Sequence, residues 1–324
     1  MLPGLLLCIA IALIATVLGT FVPIVGAPVF GILIGALIAA VRAPSERFRA
    51  GIAFSGKVLL QWSIVLLGAN LSLHEIVRGG AASLPVMLGT LTITLLLAYI
   101  IGRLLGLDRD LRRLLGIGTA ICGGSAIAAV SSVIDAEPSD VAYALATIFF
   151  FNVVAVVLFP VLGHLMHLSQ AAFGLWAGTA INDTSSVVAA AFSYGHAAGN
   201  DAVIVKLTRT LLIIPIVIFY AWKRIVKARA GERAVPWREI MPWFILWFVF
   251  AAALNSFGFI PHILQAPLSR LALFTIVVAL AGVGLSSSIE QMRATGYRPL
   301  LLGAILWVAI ATSSLLIATF LNVA

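Results

Sequence analysis

The chain has 324 residues, of which 62% are hydrophobic and 10% charged, and its mean hydropathy is +1.15. A soluble domain carries about 25% charged and about 45–50% apolar residues, so a water-soluble globular protein is excluded. The formal charge of +8 is no nucleic-acid signal, because most basic residues lie in loops between apolar blocks, where topology and anionic lipid account for them.

Most apolar blocks have the roughly 17–25 residues that cross about 30 Å of hydrocarbon. The hydropathy pattern predicts about eleven spans, at 4–20, 24–41, 52–71, 84–105, 114–134, 141–162, 171–193, 201–222, 240–257, 268–286 and 298–322. The first block, "LPGLLLCIAIALIATVLG", has no Lys or Arg before its apolar core and no clear small-residue cleavage site. It reads as an uncleaved span rather than a signal peptide. Cys8 and Cys122 both fall in apolar blocks and form no CxxC pair or disulfide framework.

The loops alternate in charge. Arg42, Arg47 and Arg49 follow the second span; Arg103, Arg109, Arg112 and Arg113 follow the fourth. Lys223, Arg224, Lys227, Arg229, Arg233 and Arg238 follow the eighth, and Arg293 and Arg298 follow the tenth. The intervening "DAEPSD", "GHAAGN" and "FGFIPHILQAP" carry no Lys or Arg. With basic loops cytoplasmic, the amino terminus is expected inside and the carboxyl terminus outside. Trp237, Trp243 and Trp247 suit an interfacial belt at the ninth span. The chain reads as one transmembrane domain, 1–324.

Three internal echoes stand out. "GANLSLHEIVRGGAASLPVMLG" (68–89) aligns with "GVGLSSSIEQMRATGYRPLLLG" (282–303), and "FGILIG" (30–35) with "FGLWAG" (173–178). "GTAICGGSAIAAV" (118–130) matches "GTAINDTSSVVAA" (178–190), but in spans that run the same way. Their offsets do not belong to one linear duplication. An inverted duplication of the kind common in secondary transporters is compatible with them, with the pairing of spans left open.

Polar groups inside the spans are the candidate site. The fifth span holds Cys122, Gly123, Gly124 and Ser125. Adjacent glycines weaken a helix by roughly 1 kcal/mol each relative to Ala, so the run is either a close helix contact or a broken helix with backbone N–H groups facing a substrate. "AGVGLSSS" in the tenth span, with Gly284, Ser286 and Ser287, has the same two readings. In the seventh span, Asn182, Asp183, Thr184 and Ser185 interrupt an apolar stretch, with Asp183 about 15 Å deep.

The eighth span carries Lys206 and Arg209, about 6 and 10 Å below the same surface and on one helix face. A short loop joins the two spans, which puts Asp183 within reach of one or both cations. A charge near the bilayer centre costs about 2.5–3.5 kcal/mol even on lenient scales. A buried ion pair orienting two helices is the bland account. Two cations against one carboxylate leave surplus positive charge, which suits an anion, with Arg offering bidentate oxyanion contact.

Weaker candidates are Lys57, which snorkels, Gln61, and Asn152, which suits a bond to a neighbouring helix. His164, His167 and His196 sit at span ends. No HExxH, P-loop or dinucleotide fingerprint occurs, so no enzyme activity, metal or cofactor is expected, and no nucleic-acid partner.

"ICGGSAIAA", "AINDTSSVVAAA" and "VIVKLTRTLLIIP", in this order and spacing, resemble the YeiH-type family of bacterial inner-membrane proteins, often labelled sulfate exporters. The resemblance covers nearly the whole chain and is most specific over 116–215. It implies the superfamily of cation/proton antiporters and bile-acid symporters, an all-α polytopic fold of two inverted five-helix repeats with interrupted crossing helices. Here that would mean an extra first helix (1–22), repeat one (about 23–165) and repeat two (about 170–324), with the fifth and tenth spans interrupted. Cys122 to Ser125, Asp183, Lys206 and Arg209 fall on the family's recurrent positions. The chain departs in having Asn182 where the family pattern has His, and Ser186 where it has Gln; Asn182 lacks a group that titrates near neutral pH.

The expected function is secondary transport of a small anion, most readily sulfate, sulfite or an organosulfonate, in the export direction, with H+ or Na+ as coupling ion through Asp183. A homodimer in the lipid bilayer is compatible with this. The alternatives are a cation/proton antiporter of the same architecture, a passive channel, and, remotely, an intramembrane hydrolase using Ser125.

Overall fold

The computed structural model describes residues 1–22, 26–42, 44–227, 243–286 and 297–321. Ser287, Arg229, Arg233, Trp237, Arg238 and Arg293 lie outside the described residues. Every regular element among the described residues is helical, as backbone buried in hydrocarbon must satisfy its own hydrogen bonds.

The first helices are α1 (Leu2–Phe21), α2 (Gly26–Val41) and a long segment of α3 (Glu46–Ala53), a π turn (Phe54–Leu59) and α4 (Leu60–Gly68). Next comes α5 (Leu73–Leu104), which opens on a capping box: Ser72 Oγ accepts from the Glu75 amide at 3.1 Å, and Glu75 Oε2 accepts from the Ser72 amide at 2.7 Å. α8 (Pro138–Leu165) starts on a proline, whose missing N–H costs nothing in a first turn. α13 (Trp243–Ser256), α14 (His262–Leu285) and α15 (Tyr297–Phe320) close the chain.

Seven helical stretches are long and apolar enough to cross a membrane, and Gly26–Val41 and Trp243–Ser256 are shorter apolar helices. Two more stretches are each split into half-helices. α6 (Arg109–Ala120) and α7 (Gly124–Ile134) are separated at 121–123; α9 (Gln170–Ala180) and α10 (Thr184–Tyr194) are separated at 181–183. α11 (His196–Leu211) and α12 (Ile213–Lys227) follow them.

The interruption expected in the fifth span is therefore present, but the second one is in the seventh span and not the tenth. α14 runs unbroken through Leu285. Its glycines serve packing instead. A methyl group added at Gly284 would lie 2.2 Å from the Ile32 carbonyl oxygen, one at Gly282 would lie 2.8 Å from the Gly56 amide, and one at Gly35 would lie 2.5 Å from the Ala281 carbonyl oxygen. Small residues let the backbones of α2, the π turn and α14 touch.

The helices pack as two groups. α1, α2, α3–α4, α13 and α14 contact one another, while α5 to α12 and α15 form the other. An apolar cluster including Ile32, Ile64, Val188, Leu207, Phe248 and Ile276 joins them.

Candidate functional site

Both half-helix pairs break immediately after the same tetrapeptide, Gly-Thr-Ala-Ile, at 118–121 and at 178–181. The breaks touch: a methyl group added at Gly123 would lie 3.7 Å from Asn182 Cβ. Gly123 has φ +68° and ψ −123°, a region open essentially to glycine alone. The parallel echo in the sequence thus marks the two interruptions.

The C-terminal ends of α6 and α9 leave carbonyls without intrahelical partners and a partial negative charge. Lys206 and Arg209 meet both ends. Lys206 Nζ donates to Ile121 O at 2.8 Å and to Ile181 O at 2.9 Å. Arg209 Nε donates to Ala120 O at 2.8 Å, Nη2 to Thr119 O at 3.1 Å, and Nη1 to Thr179 O. Each side chain is 0% exposed, so burial is tolerated because every charge-bearing group faces a carbonyl.

The expected proximity of Asp183 to these cations does not become an ion pair. Ion pairs join Arg49 to Glu46 and Arg113 to Asp110, whereas Asp183 makes none with Lys206 or Arg209. Asp183 instead caps α10: its Oδ2 accepts from the Ser185 amide at 2.8 Å, the Ser186 amide at 3.3 Å and Ser185 Oγ. The physical reason is local. A carboxylate at an N-cap satisfies orphan amides and the positive helix end at once, while the nearby cations are held by the opposite, carbonyl ends.

The N-terminal ends of α7 and α10 border a cavity of about 300 Å³ between the two helix groups. It is lined by Gly124, Asn152, Asp183, Ser185, Ser186 and Ser286, with Gly56 of the π turn and apolar Leu145, Ile148 and Phe149 completing the wall. α10 is capped by Asp183, whereas α7 begins at Gly123 with no side-chain cap. π turns recur at functional sites, and this one lies against the cavity.

The expected residues divide accordingly. Gly124, Asp183, Ser185 and Ser286 line the cavity. Cys122 is buried and its Sγ lies 2.8 Å from Ser125 Oγ, on a residue that is exposed and outside the cavity wall. Gly123 and Asn182 form the crossing behind the wall, Thr184 follows the cap, and Gly284 faces Ile32 of α2. Lys206 and Arg209 do not line the cavity. Asn152, read as a helix-to-helix link, is one: its Oδ1 accepts from the Asp183 amide at 3.2 Å. It also lines the cavity with Ser186, and the single amide amid "IFFFNVVAV" was the only sequence signal for it.

A multi-pass helical membrane protein with two touching helix breaks beside a cavity of mixed polar and apolar lining is the class that this geometry defines. The chain belongs to the family described as conserved hypothetical protein 698, whose profile matches residues 3–303; this is the YeiH family. A UPF0324 membrane protein of Streptococcus pneumoniae serotype 4 is 42% identical over 329 residues, covering 99% of this chain and 97% of the relative. One from Streptococcus agalactiae serotype V matches to the same degree. One from Fusobacterium nucleatum is 38% identical over 340 residues, covering 96% of each chain.

Proposed function

We propose that this protein is a secondary transporter of a small anion, working by alternating access of the cavity between its two helix groups. The observation that carries the reading is the placement of the half-helix ends. The positive N-termini of α7 and α10 border the cavity, while the negative C-termini of α6 and α9 are neutralised by Lys206 and Arg209. Two buried cations against one half-buried carboxylate bias the field toward an anion. The discontinuous helix with its N-terminus at an anionic substrate is a recurrent transporter device.

On this reading the Gly124 amide, the Ser186 hydroxyl and the Asn152 side-chain amide supply donors to the cargo, while Ser185 and Ser286, whose hydroxyls donate to Asp183 and to Gly282 O, shape the wall. Lys206 and Arg209 act at one remove, by holding the broken ends and supplying charge. The resemblance to sulfate exporters points to the class of sulfate, sulfite and organosulfonates, moved outward, with Asp183 as the coupling group for H+ or Na+; the donors and acceptors of the cavity wall narrow that class further. The basic loops support an amino terminus in the cytoplasm and a carboxyl terminus in the periplasm of a bacterial inner membrane. Association as a homodimer is compatible with this scheme.

A cation/proton antiporter is the second reading, because Asp183 is the one ionisable side chain on the cavity wall among the described residues. The test is counterflow of labelled anion in proteoliposomes. Saturable exchange supports the anion carrier; unsaturable flux supports a channel. Sodium-dependent proton movement without anion flux would replace the anion reading with the antiporter.

A further inference from the structure

We infer, resting on the anion-transport reading, that the cargo of this cavity is an oxyanion that carries a proton of its own, such as hydrogensulfite or hydrogencarbonate, and not a fully deprotonated oxyanion. Three groups carry the inference: the α7 N-terminus at Gly124, Asp183 and the Ser186 hydroxyl of the wall. α7 is eleven residues long and begins without a side-chain cap, so its first turn offers amide donors to the oxygens of an anion.

Asp183 imposes the opposite demand. Its Oδ2 takes all three of the hydrogen bonds that the carboxylate receives from the described residues, and Oδ1 takes none. The cavity wall therefore presents one carboxylate oxygen that no described residue bonds, beside a helix end that supplies hydrogens.

A fully deprotonated oxyanion has only acceptor atoms. It suits the α7 amides and the Ser186 hydroxyl, but it brings lone pairs and like charge against the Asp183 carboxylate. A bare cation satisfies Asp183 yet meets the positive end of α7 and the surplus charge of Lys206 and Arg209. A monoanion with one O–H group satisfies both walls: its oxygens accept from α7 and Ser186, and its hydroxyl donates to Asp183. An O–H···carboxylate bond is charge-assisted and short, roughly twice as strong as a neutral one. A site built to bond a substrate hydroxyl rejects analogues lacking it strongly, by up to about 10⁴–10⁵.

The test is ligand-induced thermal stabilisation of the full chain in lipid nanodiscs at fixed neutral pH and ionic strength, with four salts. Hydrogencarbonate carries the O–H, and hydrogensulfite, which coexists with sulfite at neutral pH, is counted by its protonated fraction; nitrate has the same single charge without the O–H, and sulfate has neither the proton nor the single charge. Half-maximal stabilisation by the two protonated anions is expected at concentrations at least about tenfold below that of nitrate, with sulfate no better than nitrate. Asp183→Asn, which keeps a capping oxygen but adds an N–H donor, is expected to reverse the order. Equal stabilisation of the wild-type chain by nitrate or sulfate overturns this inference and leaves anion transport standing. Stabilisation by sodium and by none of the four anions overturns both. If the variant does not fold, the wild-type series decides alone.

Discussion

Lys206 and Arg209, three residues apart on α11, hold five carbonyl oxygens from the last turns of two different broken helices. Lys206 takes Ile121 and Ile181; Arg209 takes Thr119, Ala120 and Thr179. One face of one helix thus terminates both α6 and α9, and the two interruptions are stabilised together.

Removing either cation should first be a stability lesion. Arg209→Met strands three carbonyls in a buried site, each worth about 1–3 kcal/mol when left unpaired. A fall in the midpoint of thermal unfolding on the order of 5–10 °C is expected. Arg209→Lys should not rescue it, because a single ammonium does not reproduce the guanidinium fork. An Arg209→Met protein as stable as the parent would refute the stapling role. Loss of flux in this variant, measured without its stability, does not separate an anion carrier from an antiporter.

Gly123→Ala and Gly124→Ala should differ sharply. At Gly123 an L-residue is forced to φ +68°, with its methyl 3.2 Å from Ile148 Cγ2, costing about 1–3 kcal/mol. At Gly124 the added methyl makes an ordinary 3.4 Å contact with Leu145 Cδ2. Thermal unfolding should therefore drop for the first and change little for the second. In proteoliposomes Gly124→Ala is expected to slow uptake, since the methyl group borders the cavity.

Asp183→Ala removes an N-cap and should cost about 1 kcal/mol. Asp183→Ser keeps a capping oxygen but no carboxylate. If Asp183 acts only as a cap, the Ser variant recovers both stability and transport. Recovery of stability alone, read as a normal unfolding midpoint with flux still lost, is the outcome expected for a group that also meets the cargo.

The tenth segment offers a contrast between two neighbours. Gly284→Val drives a side chain into the backbone of α2, where even a methyl would lie 2.2 Å from Ile32 O, and should abolish a folded product in fluorescence-detected gel filtration. Ser286→Ala loses a hydroxyl bonded to Gly282 O at 2.9 Å on the cavity wall, and should fold normally with weakened anion binding.

Much of this was legible in the chain. Length and hydropathy fix a multi-pass helical protein, and the "GTAI" echo with its following polar run marks both breaks. The glycines misled, because "CGGS" and "GVGLSSS" carry the same composition for different reasons. Gly123 needs a backbone angle, whereas Gly282 and Gly284 need a missing side chain. Composition does not separate these two demands; only the neighbour across the interface does. The partner of Asp183 was misassigned for a related reason. Depth arithmetic gives distance along the membrane normal, but not which end of a broken helix a charge will face. Asn152 escaped notice as a cavity residue because a lone amide in a span has no pattern to set it apart from a helix-to-helix link.

The seam between α2 and α14 has one more implication. Where Gly35 and Gly284 let main chain lie on main chain, no side-chain rotamers remain to be rearranged, so that point of contact has one way of fitting and no intermediate ones. Conformational change needs alternative packings of similar energy. Glycine against carbonyl supplies none, so in any alternating-access movement α2 and α14 are expected to travel as one piece within their helix group.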